Sequence, residues 1–161
     1  MAIFLGWTLK RWRPNAVGAL ADILPPDGVL LHLKAASLAS ALEQIGAFAA
    51  EVTGLRASLI HEALMARVAQ GVSVGQGVLI PHARLDGLKR IVAIYARPLT
   101  PIMAEDGTAI TMLFVLLAPK DADAGHLKVL AQVAGTLRSD TSRQMLLTGT
   151  REEIYSLLTA A

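Results

Sequence analysis

Gly75-Gln76-Gly77-Val78-Leu79-Ile80-Pro81-His82-Ala83-Arg84 is the stretch from which the fold can be worked outward. The apolar run Val78 to Ile80 is stopped by a proline. Proline has no N–H for a sheet ladder and biases the residue before it toward extended geometry. Ile80 is therefore expected to end a short strand, with His82 just beyond it on a rigid exit turn. Gly75 and Gly77 allow tight backbone geometry, or close approach of another group, just before that strand. A histidine held there suits chemistry, and Leu79 and Leu85 would flank it with apolar contact area. A surface histidine in a connecting loop fits the same ten residues.

Further out, Val29 to Leu33 reads as a short strand after the Pro25-Pro26-Asp27-Gly28 break. A helix follows. Ser40 and Glu43 have capping-box spacing, Leu38, Leu42, Ile45, Ala49 and Val52 share one face, and Gly54 is the stop. A second helix is expected from Ser58 to Gln70 on the stripe Ile60, Leu64 and Val68, ended by Gly71. Beyond His82, Ile91 to Arg97 is a strand. Ala109 to Leu117 is nearly all apolar, as a central strand buried on both faces would be. Pro98 and Pro101 mark the loop between them, and Asp106-Gly107 a turn. Three helices then close the chain. One spans Ala124 to Arg138 on a stripe of Leu127, Leu130, Ala131, Ala134 and Leu137. One covers Thr141 to Leu147. The last is opened by a Thr150/Glu153 capping box. The order predicts an α/β fold, a single domain with a modest mixed β-sheet flanked by helices.

Composition narrows the function classes. The 161 residues are 53% apolar but only 4% aromatic, so a sizeable aliphatic core is available. A formal net charge of +2, from 15 basic and 13 acidic residues, is too even to imply nucleic acid as a partner. Without cysteine there is no disulfide, thiolate metal site or cysteine nucleophile. The run Ala109 to Ala118 is about half of the roughly 20 residues a membrane span needs. Residues 1–19 read as a leader before a compact unit at 20–161. Trp7 and Trp12 lie there with Lys10, Arg11 and Arg13, and the charge follows the apolar run, the reverse of a signal peptide.

Of four histidines, His32 and His61 read as structural or surface residues. His126 falls in the first turn of a predicted helix that follows the most buried strand, where free N–H groups favour an anion. Both His82 and His126 follow strand ends, where ligands gather in open α/β sheets. With Arg67 and Arg84 beside them they would suit a phosphate, and a neutral imidazole is a competent nucleophile toward phosphorus. A zinc site would need a carboxylate as third ligand, and no HExxH spacing exists. A serine hydrolase lacks its G-x-S-x-G elbow.

Gly75-x-Gly77-Val-x-Ile-Pro81-His82-Ala83-Arg84 resembles the active-site segment of enzyme IIA domains of the bacterial phosphotransferase system, fructose/mannitol class. Leu113-Phe114-Val115-Leu116-Leu117-Ala118-Pro119 followed by Gly125-His126-Leu127-Lys128-Val129-Leu130-Ala131 is similar to that family's second signature. The resemblance spans about Leu20 to Leu158, and the short lead-in looks like the nitrogen-related, regulatory branch. It implies His82 as phosphoryl acceptor, His126 as its supporting neighbour, and Arg67 stabilising phosphate. Ser73 would stand in for the family's hydroxyl residue, with Arg84 nearby. Arg67-Val68-Ala69-Gln70-Gly71 departs from the family's usual Arg-Glu start, and Thr111 stands where an acidic residue is common. The implied donor is a histidine-containing phosphocarrier protein. The implied acceptor is an enzyme IIB-type protein or a regulatory target, with no cofactor or metal and a cytoplasmic location. The alternative is a module of the same fold that controls a partner by docking alone. Deleting residues 1–19 is expected to move the melting temperature by no more than a few degrees, as loss of residues outside a core does. Thermal unfolding of the shortened chain checks this; a collapse in stability would show Trp7 and Trp12 packing into the fold.

Overall fold

The computed structural model describes residues 20–69, 75–121 and 125–160, with side chains in the last segment from residue 128 onward. The leader 1–19, the expected helix end at Gln70-Gly71, and Ser73 lie outside the described residues, as does the side chain of His126. The elements are α1 (Leu20–Ile23), β1 (Val29–Leu33), α2 (Leu38–Thr53), α3 (Ala57–Val68), β2 (Val78–Leu79), β3 (His82–Leu85), β4 (Val92–Pro98), β5 (Ile102–Met103), β6 (Ala109–Ile110), β7 (Met112–Pro119), α4 (Gly125–Arg138), α5 (Asp140–Thr148) and α6 (Arg151–Thr159).

Strand β7 is the axis. It pairs antiparallel with β4, which in turn pairs parallel with the edge strand β1. On its other side β7 pairs parallel with β2 and then with β3. The sheet is therefore mixed, and helices flank it as expected. The alternation of β7 divides the core. Leu113, Val115 and Leu117 pack with Leu42, Ile45 and Ala49 of α2 and with Ile60 and Leu64 of α3. Met112, Phe114 and Leu116 pack with Val129 and Val133 of α4, Leu146 of α5 and Ile154 of α6. Burial on both faces is why this strand reads as an unbroken apolar run.

Several local expectations need correction. The run Ala109 to Leu117 is not one strand. It breaks at Thr111, and Ala109-Ile110 turns away to pair with β5, Ile102 opposite Ile110. The break is set by Gly77, whose carbonyl accepts from the N–H groups of Thr111 (2.8 Å) and Met112 (3.3 Å). Helix α2 starts at Leu38, capped by the Ser37 hydroxyl accepting from Ser40 N–H, so Ser40 is not the cap. In α4 the fully buried residues are Val129 and Val133; Leu130 and Leu137 of the expected stripe pack against the same core part-buried, while Ala131 is exposed. Leu79 and Leu85 are buried in the core and give no surface. Gly54 does end α2 in the left-handed region, and Thr150 and Glu153 do form a capping box on α6.

The C-terminal helices are tied to the sheet by polar contacts. Tyr95 of β4 donates its hydroxyl to the Leu146 carbonyl at 2.7 Å, and Arg97 Nη1 donates to the same carbonyl at 2.9 Å. Arg97 Nη2 reaches the Gly149 carbonyl at 3.3 Å. Burial raises the Tyr95 phenol above its ordinary pKa, against the opposing pull of Arg97, so it stays a donor.

Gly77 is irreplaceable on two counts. Its φ is +78°, and a Cβ there would lie 2.6 Å from the Ala109 carbonyl oxygen, which is backbone and cannot swing away. Gly77→Ala is expected to cost at least about 2 kcal/mol, the sum of left-handed strain and a backbone clash beside the central strand. Equilibrium denaturation measures this, and a loss below about 0.5 kcal/mol, the range of neutral surface changes, would contradict it.

Candidate active site

Pro81 separates β2 from β3 without ending the sheet. It donates no N–H, but its carbonyl accepts from Leu116 N–H at 3.0 Å, and pairing resumes with His82 opposite Leu116. His82 thus opens a second strand rather than sitting on an exit turn. Along β3, Ala83 and Leu85 point into the core, so His82 and Arg84 share the outward side. His82 is half-buried and Arg84 exposed.

Both ring nitrogens of His82 have protein partners. Nδ1 lies 3.3 Å from the carbonyl oxygen of Ile80, and Nε2 lies 2.9 Å from Nη2 of Arg67, in the last turn of α3. Guanidinium nitrogens only donate, so Nε2 must accept, and Nδ1–H then donates to Ile80. The arrangement selects one neutral tautomer and turns the lone pair of Nε2 toward a fixed cation. A lone pair facing a guanidinium suits attack on a phosphoryl group, whose oxygens the same cation can then hold. The family resemblance implies Arg67 at this place; the Ile80 carbonyl is a partner that the resemblance does not name. Pro81 was the available signal, since it fixes the direction of the peptide between Ile80 and His82.

Arg84 does not reach toward His82. Its Nη1 donates to the Lys120 carbonyl at 3.4 Å, at the far end of β7. His126 is the second residue of α4, and Ser73 precedes β2; neither side chain is among those described. His61 Nε2 lies 3.2 Å from the Ala39 carbonyl and links α3 to α2, while His32 is exposed on β1. Among the described residues no three His, Asp or Glu side chains converge as metal ligands. No described helix is long and apolar enough to cross a membrane.

Residues 22–161 match the family model described as phosphoenolpyruvate-dependent sugar phosphotransferase system, EIIA 2. A nitrogen regulatory protein of Bradyrhizobium diazoefficiens is 38% identical over 143 residues, covering 86% of this chain and 94% of that protein. One from Pseudomonas aeruginosa is 34% identical over 144 residues, with the same coverage. Among solved structures, nitrogen regulatory protein IIA-Ntr from Neisseria meningitidis superimposes with a TM-score of 0.80 at 32% identity, covering 87% of this chain and 99% of that one. A chain in the solved complex of mannitol enzyme IIA with phosphorylated enzyme IIB from Escherichia coli shares the fold, with a TM-score of 0.70 at 15% identity. It covers 83% of this chain and 95% of that one.

The ring geometry makes a direct spectroscopic prediction. In its neutral form, His82 is expected to populate the tautomer protonated at Nδ1, with Nε2 giving the nitrogen shift of an unprotonated acceptor. Two-bond nitrogen–proton correlation spectra read this; a dominant Nε2–H tautomer would contradict the Arg67 contact.

Proposed function

Because the chain belongs to the phosphoenolpyruvate-dependent sugar phosphotransferase system EIIA 2 family, we propose that it is a cytoplasmic phosphocarrier whose acceptor atom is Nε2 of His82. The donor is a histidine-containing phosphocarrier protein. The role is nitrogen-related regulation rather than sugar uptake, a choice supported by the relatives that carry the name nitrogen regulatory protein. The observation that carries the chemistry is the pair of contacts on one imidazole: Ile80 carbonyl at Nδ1 and Arg67 at Nε2.

In the transfer, the Nε2 lone pair forms a bond to phosphorus while the donor's N–P bond breaks. The donor ring keeps the released electron pair. Each ring retains the proton on its other nitrogen, so no proton changes hands. On this chain that proton is the one donated to Ile80, where the carbonyl dipole stabilises the positive charge the phosphorylated ring acquires. Arg67 must leave the Nε2 lone pair and pair instead with the phosphoryl oxygens, a move of one hydrogen-bond length for a side chain in the last turn of a helix. His126, near the N-terminus of α4, serves as the second support. Ser73 and Arg84 are assigned to the surroundings of the phosphoryl group; for Arg84 this requires release of the exposed Lys120 carbonyl. Onward transfer goes to an enzyme IIB-type acceptor or ends at a regulatory target. A cysteine acceptor must belong to that other protein, since this chain has none.

Incubation with phosphoenolpyruvate and the donor system is expected to raise the intact mass by about 80 Da, one phosphoryl group. His82→Ala should abolish the gain. Arg67→Gln should slow it by about a hundredfold, the usual cost of removing a charge-stabilising donor, and His126→Ala should slow it less. Acid-labile labelling retained in the His82→Ala protein would overturn the assignment. Absence of labelling in the unaltered chain would leave control by docking as its function.

A further inference from the structure

The sheet edge that carries His82 also borders a cavity. A cavity of about 440 Å³ lies between β2 and the C-terminal half of α4, within the size range of small-molecule sites. Its walls are aliphatic: Val78 and Ile80 on the sheet side, Ala134 and Leu137 on the helix. Its charged lining among the described residues is cationic, from Arg138 at the end of α4 and Arg143 on α5, with no acidic residue beside them. Arg143 donates to the Leu137 carbonyl and pairs with Asp140, whose side chain is 91% exposed. A carboxylate so well hydrated binds its partner weakly, so an entering anion can take its place.

Gly75 and Gln76 complete the lining. Val78 N–H donates to the Gly75 carbonyl at 3.1 Å, closing a turn whose central residues, Gln76 and Gly77, have φ of +57° and +78°. Such turns favour Asn, Asp or Gly, and a glutamine held in the left-handed region is an outlier of the kind that collects at functional positions. Gln76 adds an amide, a donor and an acceptor, to a lining that already holds two arginines.

We propose that this cavity is an effector site for a small organic anion. Its aliphatic chain lies on Val78, Ile80, Ala134 and Leu137. Its carboxylates pair with Arg138 and Arg143, so a dicarboxylate fits best. Occupancy is felt at His82 through Ile80, whose side chain lines the cavity and whose carbonyl accepts from His82 Nδ1. This coupling rests on His82 being the phosphoryl acceptor; the binding itself does not.

The test is a titration of the full chain with glutarate, followed by backbone amide spectra. Saturable shifts are expected at Gly75, Gln76, Gly77 and Ile80, with a dissociation constant of roughly 1 mM or tighter. Arg143→Gln also removes a bond to the Leu137 carbonyl, so the exposed Arg138→Gln is the cleaner variant. Each should weaken binding at least about tenfold, the loss of a hydrogen bond to a charged group. His82→Ala should bind glutarate as the unaltered chain does, which separates this site from the phosphoacceptor. Saturating glutarate should change the rate of His82 phosphorylation at least about threefold. No saturable shift, or shifts that survive both arginine changes, would overturn the site. Inorganic phosphate binding as tightly as glutarate would overturn the role of the aliphatic walls, and an unchanged phosphorylation rate would overturn the coupling.

Discussion

Strand β7 is hydrogen-bonded along both edges and buried on both faces, and the position of every other element is set by it. Its even residues face α4, α5 and α6, and its odd residues face α2 and α3. A shift of one residue would exchange these two sets, placing Phe114 where Val115 packs against the smaller aliphatic pocket. The register is held from outside the strand by the Gly77 carbonyl, which takes two successive N–H groups at the entry to β7. Farther along, the Pro81 carbonyl takes the N–H of Leu116. Two residues of the chain that cannot be exchanged freely, a left-handed glycine and a proline, therefore fix the alignment of the core.

The same alignment fixes the histidine. His82 lies opposite Leu116, Ile80 is held between two hydrogen-bonded neighbours, and Arg67 arrives from α3, which packs on the odd face of β7. The imidazole is thus set by backbone on one side and by a helix on the other, both referred to a single strand. The orientation of the ring is therefore a property of the folded core rather than of the surface around it.

Much of this was legible in the residues. An apolar run as long as Ala109 to Leu117 announces a central strand, and Pro81 announces the end of a short one, although His82 then opens β3 instead of lying on an exit turn. Thr150 with Glu153 announces a helix start. These are local signals with local causes. The misses have non-local causes. The break at Thr111 is imposed by Gly77, more than thirty residues earlier, so the β5–β6 hairpin is invisible to periodicity. Ser37 beat Ser40 as a cap because both have the right chemistry, and only the path of the preceding chain separates them. Leu79 and Leu85 flank the histidine in sequence and so suggest contact area beside it, but their parity in the pleat sends them inward. For His82, the tautomer depends on the Ile80 carbonyl, for which Pro81 is the one local signal, and on Arg67, which arrives from a separate helix.

On the opposite margin of the sheet, β1 pairs with β4 on one side and with no other described strand on the other. The pairing of β1 with β4 is irregular between Leu30 and Leu33, and His32, between them, has a φ of +59°. One extra residue there bends the strand out of plane and aims an imidazole, rather than a flat ladder, at solvent. An incoming strand finds two matched positions and then a kink. The cost of that irregular histidine is carried by a sheet firmly anchored at its centre, and its return is colloidal: a chain that is more than half apolar places a kink, not a flat template, at this margin of the described sheet.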